Sequence, residues 1–338
     1  MNKTFTCICI LIMIGNFSVR GQKLHEPAEI FKILEISDIS YNIEELKEAI
    51  KSTDFSDHLN LNNVYRIQSD SGLFVYGYTL DDDAQQYFNK AEEYFTNKNL
   101  DSAIVYYKKV LDIQPNYYKV MTYIGQMNGS LGRLDDALDW YKKTIDANYI
   151  DYLAHYLIAD IYKLKGDLDN AINEITIARI LNRNNPRMAE LQFKLYKEKK
   201  LKIEDWYFNP QYKIAQKESG VVQVKMNIDW MGYALTKAVW EFEPGYKESM
   251  GVKKGTYSSL EDKEALLVLY SGLLDNGKKA IKKNTDFINL GKAIENDYLT
   301  EFILYEIVLP EHPEVAYQLQ KEQIEKIKDY LLTTRHKK

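Results

Sequence analysis

A period constrains this chain more than any other feature. Across Ala84–Asn185 the sequence repeats every 34 residues. Ala103, Ala137 and Ala171 share one position, Leu100, Leu134 and Leu168 another, and Asp101, Asp135 and Asp169 follow those leucines. Ala91, Gly125 and Ala159 recur upstream, Gly132 and Gly166 mark a turn, and Tyr107 and Tyr141 recur late, with Ile175 in the third copy. Within each copy the apolar residues fall at i, i+3, i+4 and i+7 in two runs, the spacing of two amphipathic helices. In the first copy these are Tyr87, Ala91 and Tyr94, then Leu100, Ala103, Ile104, Tyr107 and Leu111. Small residues at the crossing let the two backbones approach closely. The three aspartates stand where the second helix begins, where a carboxylate can satisfy free N–H groups and face the positive helix end. One helix pair of this size cannot bury its apolar face alone, so copies must stack, and about three is the minimum. This chain has three.

The period, the small residues near positions 8 and 20 of each copy and the aromatic near position 24 resemble the tetratricopeptide repeat. The copies are 84–117, 118–151 and 152–185. Pro115 closes the first copy where the family places its proline; the second has Tyr149 there, and in the third Pro186 arrives three residues late. Lys98 stands where the first turn glycine is expected. Arg187–Lys200, apolar at Met188, Leu191, Leu195 and Tyr196, reads as the helix that caps the stack. The resemblance implies a concave groove, lined by the first helix of each copy, that binds a protein or peptide partner. Its groove positions fall on Gln85, Phe88, Asn89, Glu92 and Phe95 in the first copy. They fall on Lys119, Thr122, Tyr123, Gln126 and Gly129 in the second, and on Leu153, Tyr156, Leu157, Asp160 and Lys163 in the third. Members that hold chaperone C-terminal carboxylates carry Lys, Asn or Arg where this chain has Phe88, Glu92, Tyr123, Leu153 and Leu157, so that clamp is absent. Aromatics beside Glu92 and Asp160 suit an extended or helical apolar segment with a basic residue. Two readings stay open: the aromatics contact a partner, or they pack within the chain.

The N-terminus reads as a secretory leader. Lys3 precedes the apolar run Cys7–Ile14, and Val19 and Gly21 stand at −3 and −1 of a cut before Gln22. The run is well short of the roughly 20 apolar residues a spanning helix needs. Both cysteines lie at its start rather than after it, so a lipid anchor is not expected, and the mature chain has no thiol chemistry. Removing residues 1–21 takes away two basic residues, Lys3 and Arg20, and no acids, so the net charge moves from −5 to −7. Mild acidity of this kind does not suit a dedicated nucleic-acid binder, which carries a basic face.

The flanks carry weaker patterns. Residues 22–82 hold helical patterns around Ala28–Leu34 and Ile43–Ile50, then a hairpin of Val64–Gln68 and Leu73–Tyr78. Tyr212–Gln216 and Val221–Ile228 form a second hairpin signal, with Val222, Val224, Met226 and Ile228 alternating against polar residues. Helical patterns follow over Trp230–Trp240, Glu261–Leu274, Ala280–Glu295, Leu299–Val308 and Glu314–Leu332. Trp230–Met250, rich in Trp, Tyr and Glu, is the stretch most suggestive of chemistry, since glutamates near tryptophans can mark a sugar-cleaving pair; an amphipathic helix with core tryptophans is the plainer reading. His155 falls where the family usually packs a tryptophan, and Pro310–Glu314 lacks the spacing of a zinc-protease helix. No phosphate loop or nucleophile elbow appears, so no catalytic, cofactor or metal residue is assigned.

The expected fold is mainly α: an α-solenoid of three helix pairs plus a capping helix over 83–200, with a mostly helical domain over 201–338 that carries a small β-hairpin. The expected role is an exported adaptor or scaffold, bacterial and periplasmic or secreted. It would bind a protein or peptide partner, with no nucleic acid, no cofactor and no transmembrane segment in the mature chain. Two other readings remain: a glycan-acting or glycan-binding C-terminal module positioned by the repeats, and an accessory factor in envelope assembly or secretion.

Overall fold

The computed structural model describes residues 24–53, 55, 61–69, 72–203, 206–253, 258–277 and 279–336. The leader reading of 1–21 lies outside them. In chain order the chain forms α1 (Pro27–Ile36), β1 (Ser40–Glu45), β2 (Val64–Ser69) and β3 (Gly72–Gly77). The repeats follow as α2 (Asp82–Thr96), α3 (Leu100–Ile113), α4 (Lys119–Ser130), α5 (Leu134–Ala147), α6 (Tyr152–Leu164) and α7 (Leu168–Leu181), then α8 (Pro186–Glu198). Next come β4 (Tyr212–Glu218), β5 (Val221–Met226), α9 (Met231–Phe242), α10 (Tyr246–Ser249), α11 (Ser259–Asp275) and α12 (Thr285–Glu295). Last are α13 (Leu299–Phe302), a π-helical turn (Ile303–Val308), α14 (Leu309–Glu311) and α15 (Lys321–Tyr330).

These elements make two compact units, each discontinuous in sequence. One joins the N-terminal segment to residues 206–307; the other joins the hairpin, the repeats and the segment from Val308 onward. The division therefore falls elsewhere than at the boundaries 82/83 and 200/201 read from the sequence, because both ends of the chain pair with elements distant in sequence.

In the repeat unit each helix pair packs on the next, with Ala84, Ala91, Ala103, Ala137, Ala159 and Ala171 fully buried at the crossings. The turn inside each pair needs one residue in the left-handed region, and it recurs at the 34-residue period: Lys98 (φ 59), Gly132 (φ 77), Gly166 (φ 78) and Lys200 (φ 58). Lysine pays a steric penalty there that glycine does not. Lys200 shows that α8 is the first helix of a fourth copy, ended by the same turn, and among the described residues the next element is a strand, β4, in place of a second helix. The C-terminal end of the chain covers that place. α15 packs on α7, and the Tyr196 hydroxyl of α8 lies 2.9 Å from Nδ1 of His336. These are the two helices a fourth second helix would touch.

Asp101, Asp135 and Asp169 do not cap their helices. Asn99 and Asp167 do, accepting from the backbone N–H groups of Ser102 and Asn170 at 3.2 Å. The three aspartates instead reach the next copy: Asp101 to Arg133 at 2.6 Å, Asp135 to Lys165 at 2.5 Å, and Asp169 to Lys199. All three pairs lie largely in solvent and are salt-screened, so each adds little stability.

In the other unit β5 is the central strand, antiparallel to β4 and parallel to β1, in the order β1-β5-β4. Val222, Val224 and Met226 are buried against Ala234, Leu235 and Ala238 of α9, with Phe31 and Leu34 of α1 beside them. The helix expected at Ile43–Ile50 does not form: residues 43–45 end β1 and residues 46–50 are irregular. Ile228 does not continue β5; it lies in a 3-10 turn and is 63% exposed.

Candidate functional site

The carried-over groove residues separate into three groups. The first is engaged inside the fold. Thr122 is 1% exposed, with its hydroxyl 3.4 Å from both Asp151 and Thr144, so it does not reach the concave surface. Its place on α4 faces the next helix pair, which corrects its assignment to the groove. Phe88 meets Tyr107 and Tyr117 edge-on, with centroids 5.7 and 6.1 Å apart. Tyr123 meets Tyr107 in the same way at 5.8 Å. Glu92 accepts from the Tyr107 hydroxyl. Burial first, then the Glu92 charge, pushes the Tyr123 hydroxyl up to about 12.

The second group pairs at the surface. Lys119 donates to Asn63 at 2.9 Å, Gln85 donates to Asn89 at 2.7 Å, and Lys163 lies 3.8 Å from Glu198. Phe95 is half exposed.

The third group is brought together around two concavities. Leu153 and Tyr156 of α6 line one of about 360 Å³ with Arg187 and Met188 of α8. Gln126 and Gly129 of α4 and Leu157 and Asp160 of α6 line another of about 340 Å³, completed by Ser130, Leu134, Tyr141, Ile161 and Leu164. This second hollow exists because α4 carries glycine where a side chain would fill it. A Cβ on Gly129 would lie 3.9 Å from the Tyr141 hydroxyl oxygen. A Cβ on Gly125, one turn earlier, would lie 2.4 Å from the Tyr141 ring, so the ring packs directly on the α4 backbone. Burial, then the charge of Asp160, holds the Tyr141 phenol well above its ordinary value. In the sequence Tyr141 stands only as the recurring late aromatic of the second copy. The signal for its second role was the pair of glycines four residues apart on the helix it faces.

The stretch Trp230–Met250 puts its two tryptophans in the core, and Lys237 between them pairs with Glu261 and Asp262 at 2.5 and 3.1 Å. Trp230 and Trp240 are each 1% exposed. Trp230 meets Phe208 and Tyr233 edge-on and Phe287 at a tilt. Glu241 and Glu248 are exposed, while Glu243 accepts from the hydroxyls of Ser37 and Tyr41. The unit also holds several buried carboxylates, and one that is fully buried is Glu264, which the sequence did not single out. It accepts from Trp240 Nε1, the Tyr246 hydroxyl and the His25 backbone N–H, each at 2.7 Å. His155 is fully buried, with Nδ1 2.7 Å from Glu174 and Nε2 3.1 Å from the Tyr149 carbonyl, a packed position. Among the described residues no group of three His, Cys, Asp or Glu side chains is placed to hold a metal ion, and no helix is long and apolar enough to cross a membrane.

Family models for the tetratricopeptide repeat match residues 84–117 and 152–176. A search of curated proteins found no match. Among solved structures, the chain is similar to the first TPR of Spaghetti bound to an HSP90 peptide, at 19% identity, with 37% of this chain and 99% of that one covered and a TM-score of 0.34. It is similar to the Yersinia enterocolitica type III secretion chaperone SycD in complex with a peptide of the translocator YopD, at 16% identity, 35% and 96% coverage and a TM-score of 0.33. It is also similar to a tetratricopeptide repeat protein from Parabacteroides merdae, at 16% identity, 73% and 98% coverage and a TM-score of 0.34.

Proposed function

We propose that this protein is an exported adaptor that holds a protein partner on the concave face of its tetratricopeptide repeats, acting by binding and not by catalysis. The observation that carries this reading is the hollow between α4 and α6. Four of the groove positions expected from the sequence, Gln126, Gly129, Leu157 and Asp160, meet there around apolar walls with polar groups at the floor and rim. A concave, mostly apolar site with a few placed polar groups is the usual form of a recognition pocket. Export rests on the leader-like residues 1–21, and intact-mass analysis of the protein recovered outside the cytoplasm tests it: loss of those residues supports export, and a full-length mass refutes it.

The adaptor reading is tested by placing a photoreactive residue at Gln126, with exposed Val105 of α3 as the comparison site, and irradiating intact cells. A discrete adduct from position 126, absent from position 105 and lost when Gly129→Leu fills the hollow, is the expected result. Equal adducts from both positions, or an adduct indifferent to Gly129→Leu, would refute it.

A further inference from the structure

We infer that the hollow between α4 and α6 anchors one cationic side chain, lysine or arginine, carried by an apolar stretch of the partner. The inference rests on the adaptor reading and specifies its chemistry.

Three observations converge. Asp160 lines the hollow, and no hydrogen bond or ion pair within the described residues engages its carboxylate. Two other charges of this face are committed elsewhere: Lys163, one turn on, lies beside Glu198, and Glu92 takes the Tyr107 hydroxyl. Second, the Tyr141 hydroxyl comes to the floor of the hollow beside Gly129. It too has no partner within the described residues, although Tyr141 is only 2% exposed. With its ring buried and its oxygen opening on the hollow, this hydroxyl can meet a group that enters there. Third, the walls are Leu134, Leu157, Ile161 and Leu164. Leu164 is 61% exposed, a large apolar surface with nothing over it.

Together these form a site of one sign. An ammonium or guanidinium group would find the Asp160 carboxylate, the Tyr141 oxygen and the Gln126 amide oxygen as acceptors, and an ionised partner makes such bonds shorter and stronger. Its methylene stem would lie along the leucines, as long cationic side chains do on apolar surfaces. A carboxylate in the same place would meet Asp160 with no countercharge. A neutral apolar side chain would cover the walls and leave both polar groups unpaired.

The test uses short fluorescein-labelled peptides, apolar and identical except at one central residue: lysine, arginine, norleucine or glutamate. Binding to the purified protein is followed by fluorescence anisotropy. The lysine and arginine peptides should bind about tenfold or more tighter than the norleucine peptide, the range expected for a hydrogen bond to a charged group, and the glutamate peptide should bind weakest. Asp160→Asn should erase that preference without lowering the melting temperature, Tyr141→Phe should reduce it, and Asp160→Lys should make glutamate the favoured residue. A preference that survives Asp160→Asn, or no preference in the parent protein, overturns the inference. Equal binding of lysine and norleucine peptides that Gly129→Leu abolishes would refute the cationic anchor and leave the adaptor reading standing. Binding of none of the peptides overturns the anchor, and the cross-link at Gln126 then decides the adaptor reading by itself.

Discussion

Substituting Gly125 by alanine places one methyl group where the structure has no room for it. The added carbon would sit 2.4 and 2.6 Å from two ring carbons of Tyr141, and real Cβ contacts essentially never fall below 3.0 Å. The ring is locked, since Tyr141 is buried with Ala137, Leu138, Ile158 and Ile161. The helices α4 and α5 must therefore separate, and overpacking of this kind costs about 1–3 kcal/mol. Alanine also favours a helix over glycine by about 1 kcal/mol, so the net loss is about 0–2 kcal/mol. Gly129, one turn along the same helix, supplies the control. Its added carbon would meet nothing closer than 3.8 Å, so Gly129→Ala should stabilise by up to about 1 kcal/mol. The difference between the two variants cancels helix propensity and isolates the clash at about 1–3 kcal/mol. Urea unfolding followed by circular dichroism measures it, and the same pair made in a Tyr141→Leu background should show the difference gone. Equal effects of the two alanines, or a difference that persists without the ring, would refute the reasoning. The first copy carries Ala91 at the corresponding position in a cluster with Tyr107, so the demand for glycine belongs to the α4–α5 crossing and not to the repeat in general.

Other outcomes follow from the same packing. Phe88→Ala should destabilise the repeat unit by about 2–3 kcal/mol in the same urea assay, because Phe88 fills the space between Tyr107 and Tyr117; unchanged stability with lost partner binding would return Phe88 to the groove. Burial pushes the Asp286 carboxyl up to about 6 from an ordinary 3.8, so the folded state binds this proton more tightly than the unfolded chain. Its contribution is full below about pH 4 and is lost as the pH rises through about 6, a change of about 3 kcal/mol. Thermal unfolding across that window should show the fall in the parent protein and a flat response in Asp286→Asn. Glu264→Ala leaves Trp240 Nε1, the Tyr246 hydroxyl and the His25 N–H without their acceptor, a loss of about 3 kcal/mol or more. It should appear in tryptophan fluorescence, since Trp206, Trp230 and Trp240 all belong to that unit, while the repeat transition stays in place.

Repetition made the central helices readable, because each copy contacts its neighbours and little else, so local spacing carries nearly all the information. The turn residues show where that ends: glycine marks the left-handed position at 132 and 166, but Lys98 and Lys200 adopt it without announcing it. The end of β1 falls in an expected helix, Ile43–Ile50, because strand formation depends on a partner more than on local preference, and its partner is β5. Asp101, Asp135 and Asp169 looked like caps because their cations come from the next copy, at a spacing the period does not fix. Of the hollow, sequence alone supplied Gln126, Gly129, Leu157 and Asp160. Thr122 faces inward, and Tyr141 joins the site from a second helix, which a list of first-helix positions leaves out.

Ser40 pairs with Val221, 181 residues further along the chain. Synthesis runs at ~5–20 residues per second, so β1 exists for on the order of 10–40 s before its neighbour is made. Each helix pair of the repeats, by contrast, finds its mates within one or two periods. The three helix pairs therefore lie inside the loop that β1 and β5 close and can form before it shuts, with the α15 cover on α7 still to come. Joining the two strands then restricts only the flexible stretches on either side of a rigid insert, in place of 181 free residues, and the entropy of closure falls with the length of chain still loose. The order in which the pieces mature is written into the parallel pairing of one short strand.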